Sequence, residues 1–305
     1  MKHRPAILAL MVSFFFLSQL VGLAVVSQYV VVTQVGGKTE VAIASLPLGM
    51  ERPAIYDSSA AFIPAFIAVI IGTVVLLLLM KFGKVALFRI WYYLVVFICL
   101  TIALSAFLST LPAAIIGIAV ATVKVFRPNP IVHNLSEIFI YGGLAAIFVP
   151  MFSVVGAILL LLVMSAYDIY AVRGSKHMVS LARFQASSNI FAGLAIPYLP
   201  NNERTAQKGR KQVKEHLKGS AKGVVRMGFA PVAVLGGGDM GLPLLFAGAV
   251  MKEAGFLKAL VIPVFAAVAL FLLLYRGEKG KFYPAMPFIT AGCLVGYAVV
   301  RVLFV

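Results

Sequence analysis

Charge is scarce in this sequence: Asp, Glu, Lys and Arg together make up 12% of 305 residues, while apolar side chains make up 62%. That charge share is roughly half of what a soluble domain carries, which excludes a water-soluble globular protein. Cysteine is nearly absent too. Cys99 and Cys293 each fall inside an apolar run, with no second Cys or His at metal-ligand spacing, so neither a disulfide nor a metal site is expected. Histidine is equally sparse. His3, His133, His177 and His216 form no His-Glu-x-x-His pair, and none accompanies a serine in a glycine-rich turn, which disfavours zinc and serine hydrolases. Acidic residues number only ten against 26 basic ones, for a net charge of +16.

What the chain has in quantity is apolar length. A membrane helix consumes about 20 apolar residues, so 62% of 305 residues supplies roughly nine spans and leaves little for a separate extramembrane domain. Apolar runs between polar breaks fall at about residues 6–31, 61–80, 86–108, 110–123, 131–149, 151–172, 229–251, 256–275 and 284–304. The first is about twice as long as the apolar part of a signal peptide and lacks its small-residue exit, so it reads as a retained span. The expected fold class is an all-α membrane protein of nine transmembrane helices. Residues 1–172 carry spans one to six, 173–228 form a basic loop, and 229–305 carry spans seven to nine, together making one functional unit.

The cations give this arrangement a direction. With a cytoplasmic N-terminus, only Lys38, Arg52, Lys252, Lys258 and Arg301 of the 26 fall on the external side. That bias predicts a cytoplasmic N-terminus and an external C-terminus. Within the long loop, residues 178–200 are amphipathic enough to lie at the interface, and residues 201–222 carry Lys208, Arg210, Lys211, Lys214 and Lys218 in close order. Such a run reads as a solvated loop drawn to anionic headgroups rather than as a nucleic-acid site. The expected partners are therefore the lipid bilayer and not nucleic acid. Residues 33–60, on the other side, read as plain loop.

Three acidic residues fall inside spans: Glu137, Asp168 and Asp239. A carboxylate at membrane depth costs a few kcal/mol or more, so it is expected to face a protein interior or a water-filled cavity. Glu137, near Arg127 and Asn134, is compatible with a place at the interface. Asp168 ends the sixth span in Ser165-Ala166-Tyr167-Asp168. Asp239 follows three glycines in Gly236-Gly237-Gly238-Asp239, and Pro243 lies four residues on. The glycines are expected to weaken the helix and bare a face for close approach. Pro243, lacking an N–H, leaves the carbonyl of residue 239 without its helical donor. Matching the depth of the two aspartates requires the seventh helix to start near Pro231, with residues 223–230 non-helical or interfacial. Two carboxylates sharing one proton perform aspartic-protease chemistry. Spacing alone does not separate that from proton-coupled transport, and a GxGD motif occurs in prepilin-peptidase-like enzymes as well.

Taken together, Tyr167-Asp168 in one span, Gly236-x-Gly238-Asp239 in the next, and Pro284-Ala285-Met286-Pro287 at the entrance of the last resemble the presenilin and signal peptide peptidase family of intramembrane aspartyl proteases. The resemblance implies that Asp168 and Asp239 are the catalytic pair, that Gly236 and Gly238 hold the second aspartate, and that Tyr167 supports the first. It further implies that Pro284, Ala285, Met286 and Pro287 shape the site and position substrate. The family's third motif is Pro-Ala-Leu; Met286 replaces the leucine at similar volume. The implied partners are transmembrane peptide or protein substrates, with no cofactor. Because the two branches of the family insert in opposite directions, the charge bias places this chain in the presenilin orientation.

Overall fold

The computed structural model describes residues 5–35, 38–53, 58–127, 129–174, 191–197, 232–277 and 283–304. Among the described residues nine principal helices follow one another: α1 (Pro5–Tyr29), α2 (Phe62–Lys81), α3 (Val85–Ser105), α4 (Thr110–Phe126), α5 (Pro130–Phe148), α6 (Val154–Ile169), α7 (Gly237–Ala254), α8 (Val261–Arg276) and α9 (Met286–Phe304). A one-turn helix, Phe256–Ala259, leads into α8, and a π-helical turn, Tyr170–Gly174, extends α6. Among the described residues seven segments are long and apolar enough to cross a membrane, and α4 is a shorter apolar helix. The protein is a multi-pass integral membrane protein of predominantly helical fold.

Local chemistry sets several of the boundaries. The side chain of Asn129 accepts from the Ile131 N–H at 2.8 Å and Pro130 opens α5, a capped start with proline where no donor is needed. Ser153 caps α6 in the same way, through the Gly156 N–H. Gly255, at φ +87°, ends α7 in a conformation that side chains resist.

Packing sorts the helices by depth. α7 contacts α1, α5, α6, α8 and α9, and its stretch from Pro243 to Met251 is buried throughout. A helix buried on every side needs no lipid-facing stripe, and the charged residues of α7 flank the buried stretch, with Asp239 before it and Lys252 and the exposed Glu253 after it. At the other extreme, none of Phe62–Leu79 in α2 is buried. α1 and α5 approach closely where Gly22 meets Gly142: a Cβ on Gly142 would lie 3.2 Å from the Gly22 Cα.

Two short antiparallel sheets depart from the all-α expectation. Strands β1 (Val30–Val35) and β2 (Lys38–Ile43) pair from Val30↔Ile43 to Val35↔Lys38, so the segment read as plain loop contains a hairpin. Alternation of Val and Thr there is strand chemistry that the adjoining apolar run obscured. Strands β3 (Gly193–Pro197) and β4 (Val232–Gly236) pair from Gly193↔Gly236 to Pro197↔Val232. The described end of the segment expected to lie amphipathically at the interface is therefore a strand. The rest of that segment, the basic run and residues 223–230 lie outside the described residues.

Candidate active site

Asp168 occupies the last turn of α6 and is 6% exposed. Its Oδ2 accepts from the Met286 N–H at 3.1 Å, and the Ala285 N–H faces the same carboxylate. Met286 is the first residue of α9, so Asp168 sits at a helix N-terminus, where free N–H groups and the positive end of the dipole favour an anion. The sequence around it limits the donors. Pro284 and Pro287 have no N–H, which leaves Ala285 and Met286 as the only main-chain donors of Pro284-Ala285-Met286-Pro287, and both turn to Asp168. One turn further from this contact, Ser165 on α6 and Thr290 on α9 are hydrogen-bonded at 2.8 Å, fastening the two helices beside the carboxylate.

Asp239 is held by a second helix start. β4 ends at Gly236, and α7 begins at Gly237, which makes Asp239 the third helical residue. From there its carboxylate reaches back to the backbone of Gly236, the residue that caps the helix. This is the reciprocal half of a capping box. A Cβ built on Gly236 would lie 3.2 Å from the Asp239 Oδ2, so a side chain there would crowd the carboxylate. Pro243 lies inside α7 as anticipated. The next carbonyl beyond Asp239, that of Met240, takes a donor from Nε2 of the fully buried Gln19 on α1 at 2.8 Å. α6 and α7 pack directly together, and Asp239 lies within electrostatic reach of Asp168. The two carboxylates thus lie on neighbouring helices, each seated on the N-terminus of a different helix.

The family model for signal-peptide peptidase, presenilin aspartyl protease matches residues 21–305. The chain belongs to that family. Two solved structures of a presenilin family intramembrane aspartate protease, in P2 and C222 space groups, superpose with TM-scores of 0.59 and 0.61 at 19% and 18% identity. The alignments cover 96% and 97% of this chain and 96% and 99% of those chains. At that identity the likeness is one of fold. A search of curated protein sequences found no match.

Within this presenilin-like fold, the start of α7 and the surroundings of Glu137 differ from the sequence expectations. The three glycines do not all weaken a helix: Gly236 ends a strand, and the helix starts later than the anticipated Pro231. The close approach is at Gly237 rather than Gly238. A Cβ on Gly237 would meet the Tyr141 hydroxyl on α5 at 2.8 Å, whereas a Cβ on Gly238 would meet nothing within 4 Å. The Tyr167 hydroxyl reaches Thr73 on α2 at 3.4 Å and its ring stands edge-on to Phe66, so these contacts join α6 to α2. Glu137, expected near Arg127 and compatible with a place at the interface, is enclosed by the protein. It is 1% exposed and bonded to Lys124 at 2.7 Å, and Lys124, assigned above to the cytoplasmic face, is buried. Sequence reading also missed Gln19, Ser165, Thr290 and Tyr141. Single polar residues within an apolar run were the only signal available.

The glycine geometry yields a ranking. Gly237→Val is expected to destabilise the protein by about 1–3 kcal/mol through overpacking against Tyr141. Gly238→Ala is expected to stay within about 0.5 kcal/mol of the parent. Thermal unfolding of both variants in one detergent checks the order.

Proposed function

We propose that the chain is an intramembrane aspartyl protease that hydrolyses peptide bonds within or near transmembrane segments of other proteins, with Asp168 and Asp239 as its catalytic pair. The observation that carries the reading is that the helices bearing Asp168 and Asp239 pack together, with each carboxylate anchored by main-chain donors at the start of a different helix. Like charges brought together at such a site favour one shared proton. The ionised member takes a proton from water as the water attacks the scissile carbonyl carbon. The protonated member gives its proton to the carbonyl oxygen, forming a gem-diol, and the C–N bond then breaks with proton transfer to the leaving nitrogen.

A helical substrate hides its peptide bonds in its own hydrogen bonds, so a segment must unwind before it is cut. The β3–β4 sheet supports a route. β3 is flanked by α5, whereas Val234 of β4 is half exposed, and β4 ends three residues before Asp239. An extended substrate segment added to the β4 edge would be fixed by main-chain bonds and led toward the carboxylates.

Hydrolysis by this pair fails at low pH, when no base remains, and at high pH, when no acid remains. A reconstituted protein is therefore expected to cleave a transmembrane peptide with a bell-shaped pH profile whose two apparent constants belong to the pair jointly. The profile is expected to be insensitive to chelators. Absence of cleavage at every pH, or dependence on added metal, would overturn the mechanism.

The same reading takes α1 to α9 as nine spans with a cytoplasmic N-terminus and an external C-terminus. Lys84, between α2 and α3, and Ser58, before α2, are both exposed and lie at opposite ends of α2. Cysteine at Lys84 is expected to react with an impermeant reagent only from the cytoplasmic side, and cysteine at Ser58 only from outside. The native Cys99 and Cys293 are buried and give a low background. Reversed labelling would assign the opposite orientation.

A further inference from the structure

A buried polar cluster lies outside the aspartate pair. Lys124 on α4 donates to Glu137 Oε1 at 2.7 Å, to Ser136 Oγ at 2.9 Å and to the His133 carbonyl at 3.2 Å, and its Nζ lies 3.2 Å from His133 Nδ1. An ammonium has three N–H groups and no acceptor, so these four partners share three protons; Nδ1 can only accept from it, and the imidazole carries its proton on Nε2. That N–H is then free to donate to the Gly193 carbonyl, 2.8 Å away. The other oxygen of Glu137 accepts from the Tyr141 hydroxyl. Every one of these side chains is buried.

The contacts made by this cluster and its neighbours fall in a pattern. His133 holds the Gly193 carbonyl; Asn134 donates to the Ala195 carbonyl at 2.9 Å and accepts from the Ala195 N–H at 3.0 Å. Tyr92 on α3 donates to the Phe191 carbonyl at 2.8 Å. Positions 191, 193 and 195 alternate along the chain, and alternate main-chain groups of a strand face the same edge. Side chains of α3 and α5 therefore take the edge of β3 that faces away from β4, where a third strand would otherwise pair. At the far end of the same cluster, Tyr141 abuts Gly237, two residues before Asp239. Apolar residues of similar volume would pack α4 against α5 as well as an ion pair does. They would not fix the rotamers that grip β3.

We propose that the buried Lys124–Glu137 pair, with His133, Asn134 and Tyr141, is a positioning device for the active site: it locks the outer edge of β3 and the Gly237 turn, so that β4 and Asp239 keep a fixed place relative to α5. This rests on the protease reading for its kinetic consequence but not for its structural one. These residues touch neither water nor substrate in the proposed reaction and act through the strand pair.

The test uses Asn134→Leu, which removes both bonds to Ala195 without adding charge, and Lys124→Met with Glu137→Leu, which removes both ions together. Nitroxide labels at Ile131 and Val234, both exposed, report the separation of α5 and β4 in bilayer nanodiscs. The parent is expected to give a narrow distance distribution, and each variant one at least about twofold broader. In unlabelled protein, kcat for a transmembrane peptide is expected to fall about 10- to 100-fold, the range for a misplacement of about 1 Å. KM should change less, and mass spectrometry should find cuts spread over neighbouring bonds. An unchanged distance distribution, or a variant that loses only thermal stability while cutting the parental bond at the parental rate, overturns the proposal. Should the parent itself cut no peptide, the protease reading fails, and the label distances still decide the positioning role.

Discussion

Asp168→Asn and Asp239→Asn are each expected to abolish peptide hydrolysis while leaving the protein folded. Asparagine matches aspartate in shape, and its Oδ1 still accepts a main-chain N–H, so the contact of residue 168 with Met286 and that of residue 239 with Gly236 are retained. What is lost is the ability to exchange a proton. Positioned acid or base catalysis contributes about 10²–10⁴-fold, and here each carboxylate serves in one of two complementary roles, so neither variant retains a complete mechanism. Exchanging a charged acceptor for a neutral one weakens each bond by about 1 kcal/mol, too little to unfold a well-packed core. The measurement is cleavage of one transmembrane peptide by parent and variants, alongside their thermal unfolding. Substantial turnover by either variant would refute the dyad.

The legible part of the molecule was its one-dimensional part. Each of the nine apolar runs overlaps a principal helix among the described residues, and seven such segments are long and apolar enough to cross a membrane, because membrane length and lipid polarity dictate composition directly. Asp168, Asp239 and Pro243 were legible because a carboxylate or a proline in an apolar run is costly and therefore conspicuous. The start of α7 was misjudged because main-chain pairing with residues 193–197 diverts residues 232–236 into a strand. That partner lies almost 40 positions earlier in the chain. No local pattern encodes a strand whose stability comes from a distant edge. Which glycine bears a close contact was not legible for a related reason, since it depends on where Tyr141 of α5 falls.

Lys124 shows the same limit in electrostatics. Counted along the chain it is one more cation at the end of a span, and by that measure it belongs with Arg127 at the headgroups. Thirteen residues separate it from Glu137, and only the turn between α4 and α5 brings them together. A sidedness rule counts charges at span ends, and it has no means of recognising one whose counter-ion folds back onto it. Glu137 was conspicuous, and its true partner was not.

Removing one member of that pair is expected to be the most damaging single change for stability. Both side chains are almost wholly buried, at 1% and 2% exposure, and their 2.7 Å contact is supported by Ser136, His133 and Tyr141. Breaking such a pair leaves an uncompensated buried charge, which costs about 3–5 kcal/mol. Lys124→Met and Glu137→Leu should each show a loss of that size. Removing both together abolishes the stranded charge, and buried pairs replaced whole by apolar residues are often near neutral. Here Ser136 and Tyr141 would still lose partners, at about 1–3 kcal/mol for each group left unsatisfied. The double variant is therefore expected to be destabilised relative to the parent, yet by less than the sum of the singles, with a coupling energy of at least about 2 kcal/mol. Reversible unfolding of all four proteins in mixed micelles measures that coupling. Additive losses, or single variants within about 1 kcal/mol of the parent, would mean that the pair is not held as a buried ion pair in the folded protein.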